Sequence, residues 1–369
     1  MFDPLAIKKP TLLLDRRRAM ENIERMARKA RGSGVTFRPH FKTHQSAQIG
    51  EWFGDFGTEA ITVSSLEMAA YFAAHGWRDI TVAFPANIRE IDTINELAGR
   101  VDLGLLVEST ETVSFLRQHL TSPARVWIKI DVGLHRTGIG WDQLDRVVQL
   151  ARQTDDSELL EFRGVLTHSG HSYAARSCEQ IEEVYRETVQ RMKHVVDALR
   201  SAGLRNVLIS LGDTPTCTVV DDLSAVDEVR PGNFVFHDAM QLDLGVCSED
   251  DVAVAVGCPV VARHEERKEL IIYGGAVHLS KESIRRPDGT PVFGYVALPS
   301  EDGWGPLLPD SYVSSLSQEH GMVRLGNEAF GELRIGDLLM VLPVHSCLTV
   351  DLLKVYHTLD GETIRAMGG

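Results

Sequence analysis

Short apolar runs recur along the first two thirds of the chain, at residues 36–42, 60–63, 79–84, 102–107, 126–131, 162–168, 206–211 and 229–236. Each is too short for a helix and rich in the residues of buried strands. Between them, apolar positions return every three or four residues over 66–75, 88–97, 110–120, 141–152 and 179–202, which is helical spacing. Eight such strands alternating with helices predict an α/β fold, a closed parallel (β/α)8 TIM barrel. A doubly wound open sheet would carry its glycine-rich phosphate turn after the first strand, whereas Gly32-Ser33-Gly34 precedes it.

The rhythm changes near residue 253. Runs at 254–262, 269–273, 291–297, 321–325, 338–342 and 352–359 read as strands separated by Gly, Pro and Asp turns, with little room for helices. The expected organisation is a barrel over residues 15–245 and a mostly-β domain over 246–369, joined by about residues 1–14, whose 11–14 run reads as an added strand.

Composition narrows the function classes. A formal charge of −14 with scattered Lys and Arg argues against a nucleic-acid partner. No run of 18 or more apolar residues is present, and Met1-Phe2-Asp3-Pro4 does not open like a signal peptide, so neither a membrane partner nor secretion is expected. Five cysteines, an odd number without paired spacing, fit a reducing compartment, and the expected location is cytoplasmic.

Catalytic groups of such barrels come from the C-terminal ends of the strands. The first run ends in Lys42 within Pro39-His40-Phe41-Lys42-Thr43-His44, a lysine placed to form a Schiff base. The fifth runs into Asp131 to Gly138, and the sixth ends in Thr167-His168-Ser169-Gly170-His171-Ser172-Tyr173. The seventh delivers Ser210-Leu211-Gly212-Asp213-Thr214, and the eighth Arg230-Pro231-Gly232-Asn233. Gly212 and Gly232 allow close backbone approach, and with Ser210, Asp213 or Thr214 and Asn233 they read as a phosphate cradle after the last two strands. A lysine on the first strand with that cradle points to pyridoxal phosphate (PLP), Lys42 binding its aldehyde and His168 lying flat against its ring.

These segments, with Arg136-Thr137-Gly138, Gly212-Asp213-Thr214-Pro215-Thr216 and Pro343-Val344-His345-Ser346-Cys347, resemble the D-serine dehydratase and D-threonine aldolase group of the alanine-racemase-like PLP enzymes. The resemblance spans essentially the whole chain with its motifs in order. It implies a barrel with a C-terminal β domain, Lys42 as Schiff-base lysine, His168 stacking on the ring, and Gly212, Asp213, Thr214, Gly232 and Asn233 around the phosphate. It also implies that Arg136 and Arg230 contact the cofactor. Arg230, with Arg136 as the alternative, is expected at the pyridine nitrogen, where a cation makes the ring a weaker electron sink. Tyr173 is either an acid or a packing residue.

The group binds a divalent metal at His-x-Asp in the aldolases and His-x-Cys in the D-serine dehydratases. In an extended segment His345 and Cys347 would point the same way, suiting two ligands of one metal, and thiolate with imidazole favours Zn2+ over Mn2+ or another hard cation. The implied reaction is β-elimination from a D-3-hydroxy amino acid, D-serine first, with Lys42 taking the α-proton and the metal activating the hydroxyl. Alternatives are retro-aldol cleavage, racemisation, or a non-catalytic PLP-binding protein. The resemblance also implies a homodimer in which the β domain of one subunit closes the active site of the other. The chain departs from the group at Tyr273-Gly274-Gly275, where Asp-Ala-Gly is frequent, and at Phe236, where many relatives have Tyr, so a subgroup with its own substrate is expected.

Overall fold

The computed structural model describes residues 3–369 and divides into two compact units. One comprises 24–42 and 51–232; the other comprises 1–23, 43–50 and 233–369. The division therefore cuts the chain beside Lys42 and at Gly232, and it falls inside the first helix.

The 24–42/51–232 unit is the barrel. Its strands are β2 (Thr36–Phe37), β3 (Ala60–Val63), β4 (Asp79–Pro85), β5 (Asp102–Val107), β6 (Ala124–Asp131), β8 (Leu160–Thr167), β9 (Leu208–Leu211) and β10 (Glu228–Val229), following β1 (Thr11–Leu14) of the other unit. A short β7 (Ile139–Gly140) pairs only with β6. All neighbours are parallel in the order β2-β10-β9-β8-β6-β5-β4-β3, and a parallel bridge between His40 and Thr62 joins the two ends of that series. The helices are α1 (Arg16–Gly32), α2 (Ala47–Gly54), α3 (Leu66–Ala74), α4 (Ile91–Ala98), α5 (Thr110–His119), α6 (Leu144–Asp155), α7 (Cys178–Ser201) and α8 (Thr214–Val219). Several begin where a small polar residue after a strand accepts a backbone N–H: Ser65 from Met68 (3.1 Å), Ser109 from Thr112 (3.2 Å) and Asp213 from Thr216 (2.8 Å).

Strand β6 shows how one sequence face fills the barrel. Arg125, Trp127 and Lys129 alternate with period two and are all buried. Arg125 pairs with Asp79 and Asp102, Trp127 clusters with Leu106 and Leu166, and Lys129 lies at the strand's C-terminal end.

Two barrel runs are shorter than expected. The 36–42 run keeps its hydrogen bonds, with Arg38 N–H to Val229 O (3.0 Å), His40 N–H to Pro231 O (2.8 Å) and Phe41 N–H to Thr62 O (2.8 Å), but regular strand ends at Phe37. Pro39 has no N–H to continue a ladder, and Lys42 sits on a turn. The 229–236 run stops at Val229 before Pro231, and 233–235 form a 3-10 turn.

The other unit is built on a nine-stranded sheet in the order β12-β17-β16-β15-β18-β11-β1-β19-β20. Its remaining elements are α9 (Ala239–Asp243), β11 (Val254–His264), β12 (Glu269–Tyr273), α10 (Ala276–Leu279), the hairpin β13 (Ile284–Arg285) and β14 (Pro291–Val292), β15 (Gly294–Ser300), β16 (Gly303–Leu316), β17 (His320–Arg324), α11 (Asn327–Glu332), β18 (Leu338–Pro343), α12 (Ser346–Leu353), β19 (Val355–Thr358) and β20 (Thr363–Arg365). β1 pairs antiparallel with β11 and parallel with β19. Its Leu13 enters a core with Val252, Ala255, Ala297, Trp304, Met340 and Leu342. The long β16 escapes a reading of hydrophobic alternation because Pro306 and Pro309 interrupt it, and its pairings with β15 and β17 carry register shifts.

In the same unit His44 is fully buried, its Nδ1 accepting the Ser46 N–H (3.1 Å) and its carbonyl accepting the Tyr356 hydroxyl (2.7 Å). Burial pushes its pKa from 6.5 down to about 3. The folded state therefore binds fewer protons than the unfolded state, and the stability this residue allows is complete above its unfolded pKa and withdrawn as pH falls toward the folded one. At about pH 5 the loss amounts to about 2 kcal/mol. Denaturant titrations at neutral and mildly acid pH are expected to show it, with His44→Asn flattening the slope; an unchanged slope refutes the assignment.

Candidate active site and metal motif

At the C-terminal ends of the barrel strands, four cations and two imidazoles converge. Lys42 is exposed on its turn, held by its neighbour Phe41, which packs against Phe53, Phe72 and Trp77 with ring centroids 4.9–5.0 Å away. The Lys42 N–H points at His40 Nδ1 (3.4 Å). Burial lowers the His40 pKa well below its ordinary value, and Lys42, Arg230, His168 and Arg136 press it further the same way.

His168, at the end of β8, donates its Nδ1–H to the Gly212 carbonyl, which leaves Nε2 as the acceptor of a neutral ring. Burial, with Lys42, Arg136 and Lys129 nearby, brings its pKa down to about 3 against the opposing bond to Gly212. A Cβ on Gly170 would stand 2.9 Å from His168 Nε2 and 2.7 Å from Leu134 Cδ2, so only glycine lets that turn close over the imidazole.

Arg230 follows β10 and is buried, donating through Nε to Ser210 Oγ (2.7 Å) and through one terminal nitrogen to Thr167 O. Burial pushes its pKa down to about 10, with Glu228 opposing. Gly212 gives it room, since a Cβ there would lie 3.0 Å from the Arg230 Nη1. Arg136 is exposed on the loop organised by Asp131, whose Oδ1 accepts the Gly133 and His135 N–H groups (2.9 and 3.0 Å). Tyr173 lies half-buried on the Gly170–Ala174 turn.

Two side chains expected in the phosphate cradle are committed elsewhere in this unit. Ser210 gives its one hydroxyl hydrogen to Glu228 Oε1 (2.6 Å). Asp213 is the N-cap of α8: Oδ1 accepts Thr216 N–H (2.8 Å) and Ser172 Oγ–H (3.0 Å), and Oδ2 accepts Thr216 Oγ1–H (2.7 Å). Burial raises its pKa to about 6. A carboxylate so occupied organises the turn and offers nothing to a phosphate. Thr214 is buried at the first position of α8, and Gly232 is buried after Pro231.

Sequence reasoning missed Lys129. It is buried, donates to Ile130 O (2.9 Å), and is brought to about pKa 7 by burial together with Arg230 and Arg136. Its signal was the inward alternation Arg125, Trp127, Lys129. Two glycine-made gaps, a neutral imidazole with an acceptor nitrogen, and cations on several strand ends fit a flat aromatic cofactor that carries negative charge.

The His345-Ser346-Cys347 motif belongs to the other unit. It does not form the extended segment expected of it: His345 is the N-cap of α12 with extended backbone, and Ser346 and Cys347 are its first helical residues. The physical reason is Asp238, which accepts the Ser346 N–H at 2.9 Å and so satisfies the open end of the helix. Asn233, expected at the phosphate, here donates to Asp238 Oδ2 (2.6 Å) and Ser346 Oγ (3.0 Å), and its amide is 3.9 Å from Cys347 Sγ. Burial raises the Asp238 carboxyl pKa, with His345 and these donors opposing. The Cys347 thiol donates to Thr43 Oγ1 (3.3 Å). Among the described residues no group of three or more His, Cys, Asp or Glu gathers as a metal site. An imidazole and a thiol at one fixed helix start are nonetheless a donor pair suited to a divalent metal that keeps positions for a ligand.

Residues 14–239 match the alanine racemase N-terminal domain family, and residues 253–359 match the putative serine dehydratase domain family. The D-threo-3-hydroxyaspartate dehydratase of Delftia sp. (strain HT23) is 30% identical over 369 residues, covering 97% of this chain and 96% of that protein. The D-serine dehydratase of Dictyostelium discoideum is 27% identical, covering 92% and 90%. A solved D-threo-3-hydroxyaspartate dehydratase variant in its metal-free form superposes with a TM-score of 0.92 at 28% identity, covering 100% of both chains.

Proposed function

This chain belongs to the alanine-racemase-like PLP enzymes with a serine dehydratase second domain, and on that premise we propose that it is a metal-dependent lyase of D-3-hydroxy amino acids. In the proposed reaction the β-hydroxyl is eliminated and the product hydrolyses to a 2-oxo acid and ammonia. The observation that carries elimination is the pairing of His345 with Cys347 at the start of α12. When bound, PLP supplies an aldehyde for an amine and an electron sink for a carbanion, and the metal supplies Lewis acidity to the departing hydroxyl. Zn2+ is the metal that thiolate and imidazole favour.

The chain's own residues do the rest. Lys42 holds the cofactor in the resting enzyme and takes the α-proton once its amine is released. The neutral His168, pinned through Nδ1 to Gly212, offers its ring face without adding charge. Arg230 presents a fixed guanidinium that would face the ring nitrogen of a bound PLP and would disfavour its protonation, making the ring a weaker electron sink. Arg136 provides an exposed cation for a substrate carboxylate.

No helix among the described residues is long and apolar enough to cross a membrane, and no disulfide joins the cysteines. A cytoplasmic enzyme, whose Cys347 stays reduced for the metal, accords with both. A homodimer belongs to the same reading, to be checked by light scattering of the active protein. The deciding assay offers D-serine, D-threonine and D-threo-3-hydroxyaspartate to the purified protein and follows 2-oxo acid, ammonia, glycine and aldehyde. Oxo acid with ammonia supports the proposal; glycine with aldehyde replaces it by aldol cleavage.

A further inference from the structure

We infer that Glu228 and Ser210 are positioning residues that lock the Arg230 guanidinium in place for the cofactor ring, an assignment that rests on the PLP reading above. Three bonds in series carry it. Arg230 Nε donates to Ser210 Oγ (2.7 Å), Ser210 donates to Glu228 Oε1 (2.6 Å), and Glu228 Oε2 accepts from Arg38 Nε (2.5 Å). All four residues are buried.

The direction of the relay is fixed. A hydroxyl has one hydrogen, and because Ser210 gives it to a carboxylate, only its lone pairs face Arg230. Arg230 is thereby oriented as donor, and a second nitrogen is anchored on the Thr167 carbonyl. Nη1 makes neither bond and is edged by Gly212, where a Cβ would stand 3.0 Å away. It is the donor left for a ligand.

Charge balance explains why the relay ends on an acid. Glu228 lies between Arg230 and Arg38; Arg38 also pairs with Asp79, Asp79 with Arg125, and Arg125 with Asp102. Guanidinium and carboxylate alternate along this line, three of each, so no member is left as an uncompensated buried charge. Burial alone works against the Arg230 cation, and Glu228 is the first charge opposing that effect. A network meant only to hold strands together would not need to terminate on a guanidinium with one nitrogen reserved.

The test uses Ser210→Ala, which removes the relay and leaves the Glu228–Arg38 pair, and Glu228→Gln, which keeps the shape and removes the charge. In the apo-protein labelled with 15N-arginine, exchange of the Arg230 Nε–H with solvent is expected to accelerate about tenfold or more in Ser210→Ala. In the protein reconstituted with 15N-pyridine PLP, the ring-nitrogen resonance is expected at the unprotonated position in the parent and displaced toward the protonated one in both variants. If both signals stay unmoved while thermal stability alone falls, the network is structural and the inference is overturned. If the parent takes up no PLP, the functional reading falls and the inference with it; PLP uptake with a ring nitrogen insensitive to either variant overturns the inference alone.

Discussion

Lys42→Ala is expected to give a folded, colourless protein whose turnover on D-3-hydroxy amino acids falls by about 10³-fold or more. Folding should survive because the Lys42 side chain is exposed and the turn is anchored by its neighbour, Phe41, which is fully buried among Phe53, Phe72 and Trp77. Two losses combine in this one change: the amine that holds the cofactor, and the base that takes the α-proton. Visible absorption after reconstitution reports the first, deuterium exchange at Cα reports the second, and thermal melting checks the fold. A variant that remains yellow and active would move the chemistry to Lys129, the other lysine at this end of the barrel, which is buried and near neutrality at about pKa 7.

The parts of the site that were legible in sequence share a physical origin. Barrel strands announce themselves by short apolar runs, and polar residues in phase at their ends mark one face, so Lys42 and His168 stand out from pattern, whereas the roles expected of Arg136 and Arg230 come from the family resemblance. The unread parts depend on pairings distant in sequence. Ser210 and Asp213 look equally able to bind phosphate until the structure shows Glu228 and Thr216 consuming their hydrogen-bonding capacity. Asn233 follows Gly232 in the chain, yet its amide is fixed by Asp238 and Ser346. The helical start at Ser346 also had no local signal, because the carboxylate that accepts its N–H belongs to Asp238, 108 residues upstream. Glu228 escaped notice for a similar reason: in sequence it opens a two-residue strand, and only its partners Arg38 and Ser210 give it a role.

Removal of the divalent metal is expected to separate the two bond-breaking steps. Loss of the α-proton depends on groups of the barrel unit, so exchange of that proton with solvent deuterium should continue after chelation. In the proposed reaction the departure of hydroxide draws on a Lewis acid, so release of 2-oxo acid should fall by about 10³-fold or more. His345→Ala and Cys347→Ala should reproduce the chelated protein, and readded metal should not rescue them. Cys347→Asp makes a sharper case. The helix start is held by Asp238 through the Ser346 N–H, independently of the side chain at 347, so the substitution changes the donor while leaving its backbone in place. Exchanging a soft thiolate for a hard carboxylate should shift metal preference from Zn2+ toward Mn2+. Metal content measured after dialysis, alongside deuterium exchange and oxo-acid formation, reads all three consequences. Full elimination activity in a protein stripped of metal would remove His345 and Cys347 from the reaction and leave the barrel residues to expel the hydroxyl unaided.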